Sequence, residues 1–471
     1  MHSQDDMQPE ARLARSPKAG VAVLRGGMAI EGHAPVVGLP LRFLITGMLA
    51  LGLGVGLLVL RPDLLATYHY NQYVIAVTHL FTLGGITTII MGAMYQLVPV
   101  ALETPLYSQR LARWQFVLHT VGFTGMVGMF WVWNLPQVGH FASILGLGVG
   151  LFVYNLARTL RQSPRRNAVT GGIASGLGWL VLTVLAGLYL AAAKCWTFSP
   201  FAPLAQMHAH AHLGVIGFFI MMILGVSFKL VPMFALSEVR SWRRAAWAIG
   251  LVNAGLAGLF VTILVGSLWK LAFAGLLIGG LAVYGGEINA ILRARKRRQL
   301  DWGLRYFVTA LAGLLPVAGL GVVLAWPRLP LTALTTQLEN VYGFLALIGV
   351  VTFAILGMLY KIVPFLVWYH RYSREIGRQK VPALADLYSA RLQALGYWLY
   401  LAGLLATGVA TAFGHAPGVR WGCALLAASL AVFALNMGKI FSHLVRPKPS
   451  PLMVPMATPG IAGASHLTLT P

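Results

Sequence analysis

This sequence of 471 residues is poor in acid, with 12 Asp and Glu against 35 Lys and Arg. Only 10% of the residues are charged, which excludes the solvated surface of an ordinary soluble domain. Two cysteines, Cys195 and Cys423, exclude a disulfide scaffold. They read as ordinary buried thiols, with a disulfide or a copper–thiolate role as the alternative. No phosphate-binding glycine loop, serine nucleophile site or pair of catalytic carboxylates is present. Just Glu287 and Glu339 approach membrane depth, so a transporter with proton-relay carboxylates has little support.

What the chain has is apolar sequence. It is 58% hydrophobic with a mean hydropathy of +0.75. The apolar residues fall in twelve blocks, from 41–60 to 419–441, each about 20 residues long, the length a helix needs to span a bilayer. Barrel strands would be shorter and would alternate, so the pattern predicts an all-α polytopic membrane protein. Residues 1–40 are expected to form a cytoplasmic N-terminal segment, 41–443 the twelve-helix domain, and 444–471 a disordered cytoplasmic tail rich in Pro, Ser and Thr. The N-terminal segment includes Asp5, Asp6 and Glu10 and lacks the short apolar core and cleavage site of a secretory signal.

A net charge of +23 would suggest nucleic acid as the partner of a soluble protein. Here 30 of the 35 bases fall at the termini and the even-numbered loops or their flanks, while the odd-numbered loops hold at most one each: Arg61, Lys194, Lys270, Arg328 and Arg420. That asymmetry is a topology signal. It puts both termini in the cytoplasm of a bacterial inner membrane, with the lipid bilayer as partner and no nucleic acid.

Three predicted helices repeat one frame. Helix 2 reads "HLFTLGGITTIIMGAMYQLVP", helix 6 "HLGVIGFFIMMILGVSFKLVP" and helix 10 "FLALIGVVTFAILGMLYKIVP". Aligned on Pro99, Pro232 and Pro364, which are almost equally spaced, the frames bring Gly84, Gly217 and Gly349 into coincidence. Gly92, Gly225 and Gly357 coincide as well. The chain therefore reads as three four-helix units, with an inserted loop around 367–391 in the third. Glycines eight apart lie within about 80° of each other on a helix, making a smooth strip that allows close helix packing or leaves room for a flat cofactor.

The candidate site is histidine. "MHAHAHLG" places His208, His210 and His212 at the start of helix 6, and His212 aligns with His79 of helix 2. Helix 10 has Asn340, Tyr342 and Phe344 at the three equivalent places. On a helix, residues four apart differ by about 40°, so His208 and His212 share a face, while His210 is rotated by about 160–200° and looks elsewhere. Imidazoles at i and i+4 can share a transition metal, or one can ligate haem while the other supports it. His79, His208, His210 and His212 are the metal candidates, with His79 and His212 foremost for a cofactor. His119 reads as a hydrogen-bonded core residue, and His69, His140 and His415 as surface residues of outer loops.

Twelve helices in three pseudo-equivalent groups, with histidines at the outer ends of helices 2 and 6, resemble subunit I of the haem–copper oxidase superfamily. The style is closest to the cbb-type oxidase and nitric-oxide-reductase branch. The resemblance implies low-spin haem at His79 and copper near His208 or His212. It also implies adjacent copper-binding histidines at helix 7, where this chain reads "WAIGLVNAGLAG", and two haem-ligating histidines on helix 10, where it has none. A second resemblance is to NnrS-type membrane proteins, twelve-helix haem and copper proteins linked to nitric oxide stress. The expected function is thus that of a divergent oxidase-subunit-I-like haem protein, with copper as a further candidate, in respiratory electron transfer or in binding O2 or NO. Whether it is an oxidoreductase turns on the incomplete binuclear centre. A cytochrome c-type donor or other respiratory subunits would be its partners. A non-catalytic scaffold or copper-handling component is the alternative.

Overall fold

The computed structural model describes residues 37–164, 166–448 and 450–451. The N-terminal segment and C-terminal tail expected from the sequence lie outside the described residues, apart from a few positions beside the first and last helices. Each apolar block falls on one long helix. These are α1 Gly38–Leu60, α2 Gln72–Leu102, α3 Gln109–Trp131, α4 Leu135–Gln162, α5 Ala168–Cys195 and α6 Pro203–Ala235. There follow α7 Trp242–Leu264, α8 Lys270–Arg293, α9 Trp302–Leu324, α10 Ala333–Glu375, α11 Ala390–Ala412 and α12 Ala416–Val445. Eleven are long and apolar enough to cross a membrane; α3 is as long as α1 but opens on the polar stretch "QRLARWQ". In lipid every backbone polar group must be bonded within the segment, which is why runs of this composition become helices.

The three frame-bearing helices are the centre of the molecule. Their apolar windows are 67% (α2), 67% (α6) and 72% (α10) buried, while no other spanning helix exceeds 44%. The nine remaining helices surround them. In each unit the third and fourth helices form a tight hairpin: α3 with α4, α7 with α8, α11 with α12. Ser108, Ser241 and Ser389 cap the N-termini of α3, α7 and α11, each accepting a backbone N–H three residues on. The backbone N–H of each serine donates in turn to a buried side chain on the fourth helix of its unit: Asn155, Glu287 or Asn436. Ser108 and Ser241 keep the spacing of the repeated prolines, but Ser389 lies further along the chain than that spacing would place it. The insertion in the third unit lengthens the end of α10 and adds a loop. In that loop β1 (Gln379–Lys380) pairs antiparallel with β2 (Ser450–Pro451), ahead of the short helix Leu384–Leu387. The repeat thus resumes in space where the sequence spacing breaks.

The glycine strip is used for packing. A Cβ on Gly92 would lie 2.6 Å from Cβ of Phe43 on α1, and one on Gly357 would lie 2.6 Å from the Gly303 carbonyl oxygen on α9. One on Gly225 would come within 3.0 Å of the Gly172 backbone on α5. Each central helix therefore meets the first helix of its own unit at glycine, and that close approach leaves no room for a flat cofactor there.

The repeat also has a backbone feature without a sequence signature. In each central helix the backbone widens into a π-helical segment, at Leu80–Thr87, Leu213–Ile220 and Leu345–Thr352. The three segments begin in step with the repeat. Wider turns disturb the regular ladder, and side chains take up the carbonyls. Leu83 O accepts from Thr88 Oγ1 at 2.8 Å and from His119 Nε2 at 3.2 Å, and its repeat equivalent Ile348 O accepts from Tyr400 Oη at 2.7 Å. His119 is accordingly a hydrogen-bonded core residue that braces α2. Such segments are often found at functional sites.

Candidate functional site

All four candidate histidines lie at the rim where α2, α6 and α10 begin, immediately before the widened turns. His79 is the last α-helical residue before the segment in α2, and His212 the last before that in α6. Each donates its Nδ1–H to the carbonyl four residues earlier, His79 to Ile75 at 2.8 Å and His212 to His208 at 2.7 Å. That bond fixes the neutral tautomer and leaves Nε2 with its lone pair, the orientation a ligating imidazole needs.

The residues pair across helices by the pseudo-threefold arrangement. His79 on α2 meets His210 on α6, with ring centroids 6.4 Å apart and planes inclined by 20°. His212 on α6 meets Tyr342 on α10, with Nε2 to Oη at 3.3 Å. His79, His212 and Phe344 are repeat equivalents, and so are Val77, His210 and Tyr342. Each residue of the first set that pairs does so with the member of the second set on the next central helix. By that rule the third interface falls to Phe344 and Val77, both buried and apolar. One interface is His/His, one His/Tyr and one purely hydrocarbon.

His210 therefore does look away from His208 and His212, as helix geometry requires, but the direction it takes leads to His79. His79, foremost with His212 as a cofactor candidate from the sequence, thus stands opposite His210, and His212 stands opposite Tyr342. His210 also needs the missing side chain of Gly187 on α5, because a Cβ there would lie 3.1 Å from its Cε1. Phe130 stacks on the His79 ring at 4.9 Å.

His208 turns to the opposite side, where it meets two residues that were not candidate ligands from sequence. Its ring lies 6.1 Å from that of His69, inclined by 25°. The His69 Nε2 is 3.4 Å from Glu339 Oε2. One ligand atom from each of His69, His208 and Glu339 lies within 4.8 Å of the others. Burial pushes His69 below its ordinary pKa and so favours the neutral, lone-pair-bearing form. Its loop is pinned by α10: Asn340 Nδ2 donates to the carbonyls of Leu65 and Thr67, and Gln337 Nε2 to that of Ala66. Asn71 caps α2 and donates to the Tyr68 carbonyl. His69 is thus half-buried in the α1–α2 loop, and only its closeness in sequence to His79 hinted at a role. Glu339 carried a clearer signal, as one of two acids near membrane depth.

The other polar candidates are structural. Glu287 accepts from the backbone N–H groups of Arg240 and Ser241 and pairs with Arg244 at 2.7 Å. Cys195 and Cys423 are both free, one exposed and one buried. His415 caps α12, accepting from Gly418 N at 3.1 Å. His140 is exposed on α4. Nearer the opposite ends of the central helices an apolar cavity of about 70 Å³ is lined by residues such as Ile90, Met94, Val226 and Ile355, with no histidine.

Residues 20–136 match the family described as Cytochrome C and Quinol oxidase polypeptide I. That stretch includes His79 and the whole of α1 to α3. The chain also resembles a heme-copper terminal oxidase dimer whose structure was solved by cryo-electron microscopy. The TM-score is 0.54 at 14% identity, covering 91% of this chain and 85% of the oxidase chain. The chain has no match among curated proteins. The likeness over 91% of the chain is one of polytopic fold, and the family match is confined to the part that holds α1 to α3.

Proposed function

We propose that this chain, with its oxidase-subunit-I-like fold, is an integral membrane haem protein of respiratory electron transfer, in which His79 and His210 would hold the haem. The facing pair itself carries the reading. Two imidazole nitrogens each about 2 Å from one shared metal put their ring centroids about 6 Å apart, and the observed separation is 6.4 Å. His79 presents Nε2 because its Nδ1 is tied to Ile75. The residues therefore fit a haem at this place, and a bound haem would supply a one-electron couple.

The pairing also separates the two roles that the sequence left open. Were both imidazoles to hold a haem, they would leave it no open place for O2 or NO. Electron transfer is favoured over gas binding. The three-histidine copper of an oxidase does not fit: α7 carries no histidine, and neither does the rim of α10. A cytochrome c-type donor and further respiratory subunits are the partners this reading calls for, in a bacterial inner membrane with both termini in the cytoplasm.

The test is a set of oxidised and reduced visible spectra on protein purified in detergent, with low-temperature EPR of the oxidised form. Low-spin, six-coordinate haem that does not bind carbon monoxide on reduction is expected. His79→Ala and His210→Ala should each abolish that signature, and His212→Ala should keep it. A spectrum without a Soret band would refute the proposal. A low-spin signal lost in His212→Ala but kept in His210→Ala would refute the ligand assignment.

A further inference from the structure

The cluster of His69, His208 and Glu339 is left unused by the haem reading. It draws one ligand from each unit: the α1–α2 loop, the start of α6 and the start of α10. We propose that these three residues bind a zinc-class divalent transition metal ion, Zn(II) or Cu(II), forming a clamp that ties the three units together at the rim.

Three observations carry this. First, the donor atoms already lie within 4.8 Å of one another, the range from which small side-chain adjustments reach a shared ion. Second, both ring nitrogens of His69 are buried and make no hydrogen bond, although the Glu339 carboxylate is in ion-pair contact at 3.4 Å. An unsatisfied imidazole in an apolar rim is unfavourable, and a metal ion would satisfy it. Third, the site has a supporting shell. Asn340, next in sequence to Glu339, and Gln337 hold three consecutive carbonyls of the His69 loop, while the His208 carbonyl accepts from His212. Orienting bonds of this kind accompany metal ligands.

The donor set selects the metal. Two imidazoles and one carboxylate suit borderline ions such as Zn(II) and Cu(II); Mg(II) and Ca(II) want all-oxygen sites, and Cu(I) wants sulfur. Three protein ligands leave at least one position to water or to a small ligand. The site is separate from the His79–His210 pair, and none of its residues is on α7, where the oxidase resemblance would put copper-binding histidines.

The experiment uses the full chain, purified without a polyhistidine tag, incubated with Zn(II) and in parallel with Cu(II), then passed through a desalting column. Metal per chain is measured by inductively coupled plasma mass spectrometry, and Cu(II) EPR gives the number of coordinated nitrogens. One ion per chain is expected, with two-nitrogen coupling in the copper form. His69→Ala and Glu339→Gln should each lower retained metal at least tenfold, and His140→Ala should leave it unchanged. Elution volume on gel filtration shows that the variants are folded; if one is not, the EPR of the unaltered protein decides alone. No retained metal, metal retained equally by His69→Ala and Glu339→Gln, or coupling to other than two nitrogens would each overturn the proposal. Because the readout is metal and not haem, the clamp can fail while the haem assignment stands, and the reverse.

Discussion

Glu287 is the one carboxylate among the described residues with no exposure at all. Within a membrane protein such a group invites a proton-carrying role. Its contacts argue for a structural one. Its Oε1 accepts the backbone N–H of Arg240 at 2.6 Å and of Ser241 at 2.9 Å, and its Oε2 meets Arg244 Nε at 2.8 Å and Nη2 at 2.7 Å. Asn155 and Asn436, neutral amides, hold the equivalent serines in the other two units. Glu287→Ala would strand two amide donors, at about 1–3 kcal/mol each, while the half-exposed Arg244 pair adds no more than about 1 kcal/mol. The total is about 2–6 kcal/mol. Glu287→Gln keeps an acceptor for both amides and forfeits only the ion pair, so about 1 kcal/mol is expected. Unfolding in mixed micelles, followed by circular dichroism as the denaturing detergent is raised, measures both. Glutamine as damaging as alanine would show that charge dominates, and alanine as stable as the parent would refute the capping argument altogether.

Gly225→Leu should drive a side chain into the Gly172 backbone and destabilise the α5–α6 contact by about 1–3 kcal/mol. Gly171→Ala, where an added Cβ meets nothing within 4 Å, should not, and equal Tm values for the two would sink the packing account. Reporter fusions near residues 298 and 378 should read as cytoplasmic, and those near 137, 200 and 330 as external, because the bases cluster in the former loops. A periplasmic reading at residue 298 would break the twelve-helix topology. The purified chain, given an artificial reductant in an oxygen electrode, should not sustain oxygen uptake, since α7 carries no histidine. Cyanide-sensitive uptake would show that other residues replace the missing ligands.

The number of helices and the existence of three units were written in the sequence. A bilayer-length apolar run has one stable form in lipid, and glycines and prolines recurring at nearly equal intervals mark a repeated packing problem with a repeated solution. The phase of His208, His210 and His212 around α6 was equally legible, since it depends only on helical pitch. What stood opposite each of them was not. His210 reaches His79, His212 reaches Tyr342, and His208 reaches His69 because three central helices meet about a pseudo-threefold axis, and an axis is a property of the assembled bundle. The same holds for the widened turns at Leu80 and Leu345, where the carbonyls of Leu83 and Ile348 are met by His119 and Tyr400 from neighbouring helices. His69 is the sharpest case. Its place in a loop made it look like a surface residue, and it is held half-buried beside His208 and Glu339 because Asn340 and Gln337, two units further along the chain, hold that loop by its backbone. Local pitch and hydrophobic length are fixed along the chain, whereas a ligand set is fixed across it, by contacts that exist only once the helices have packed.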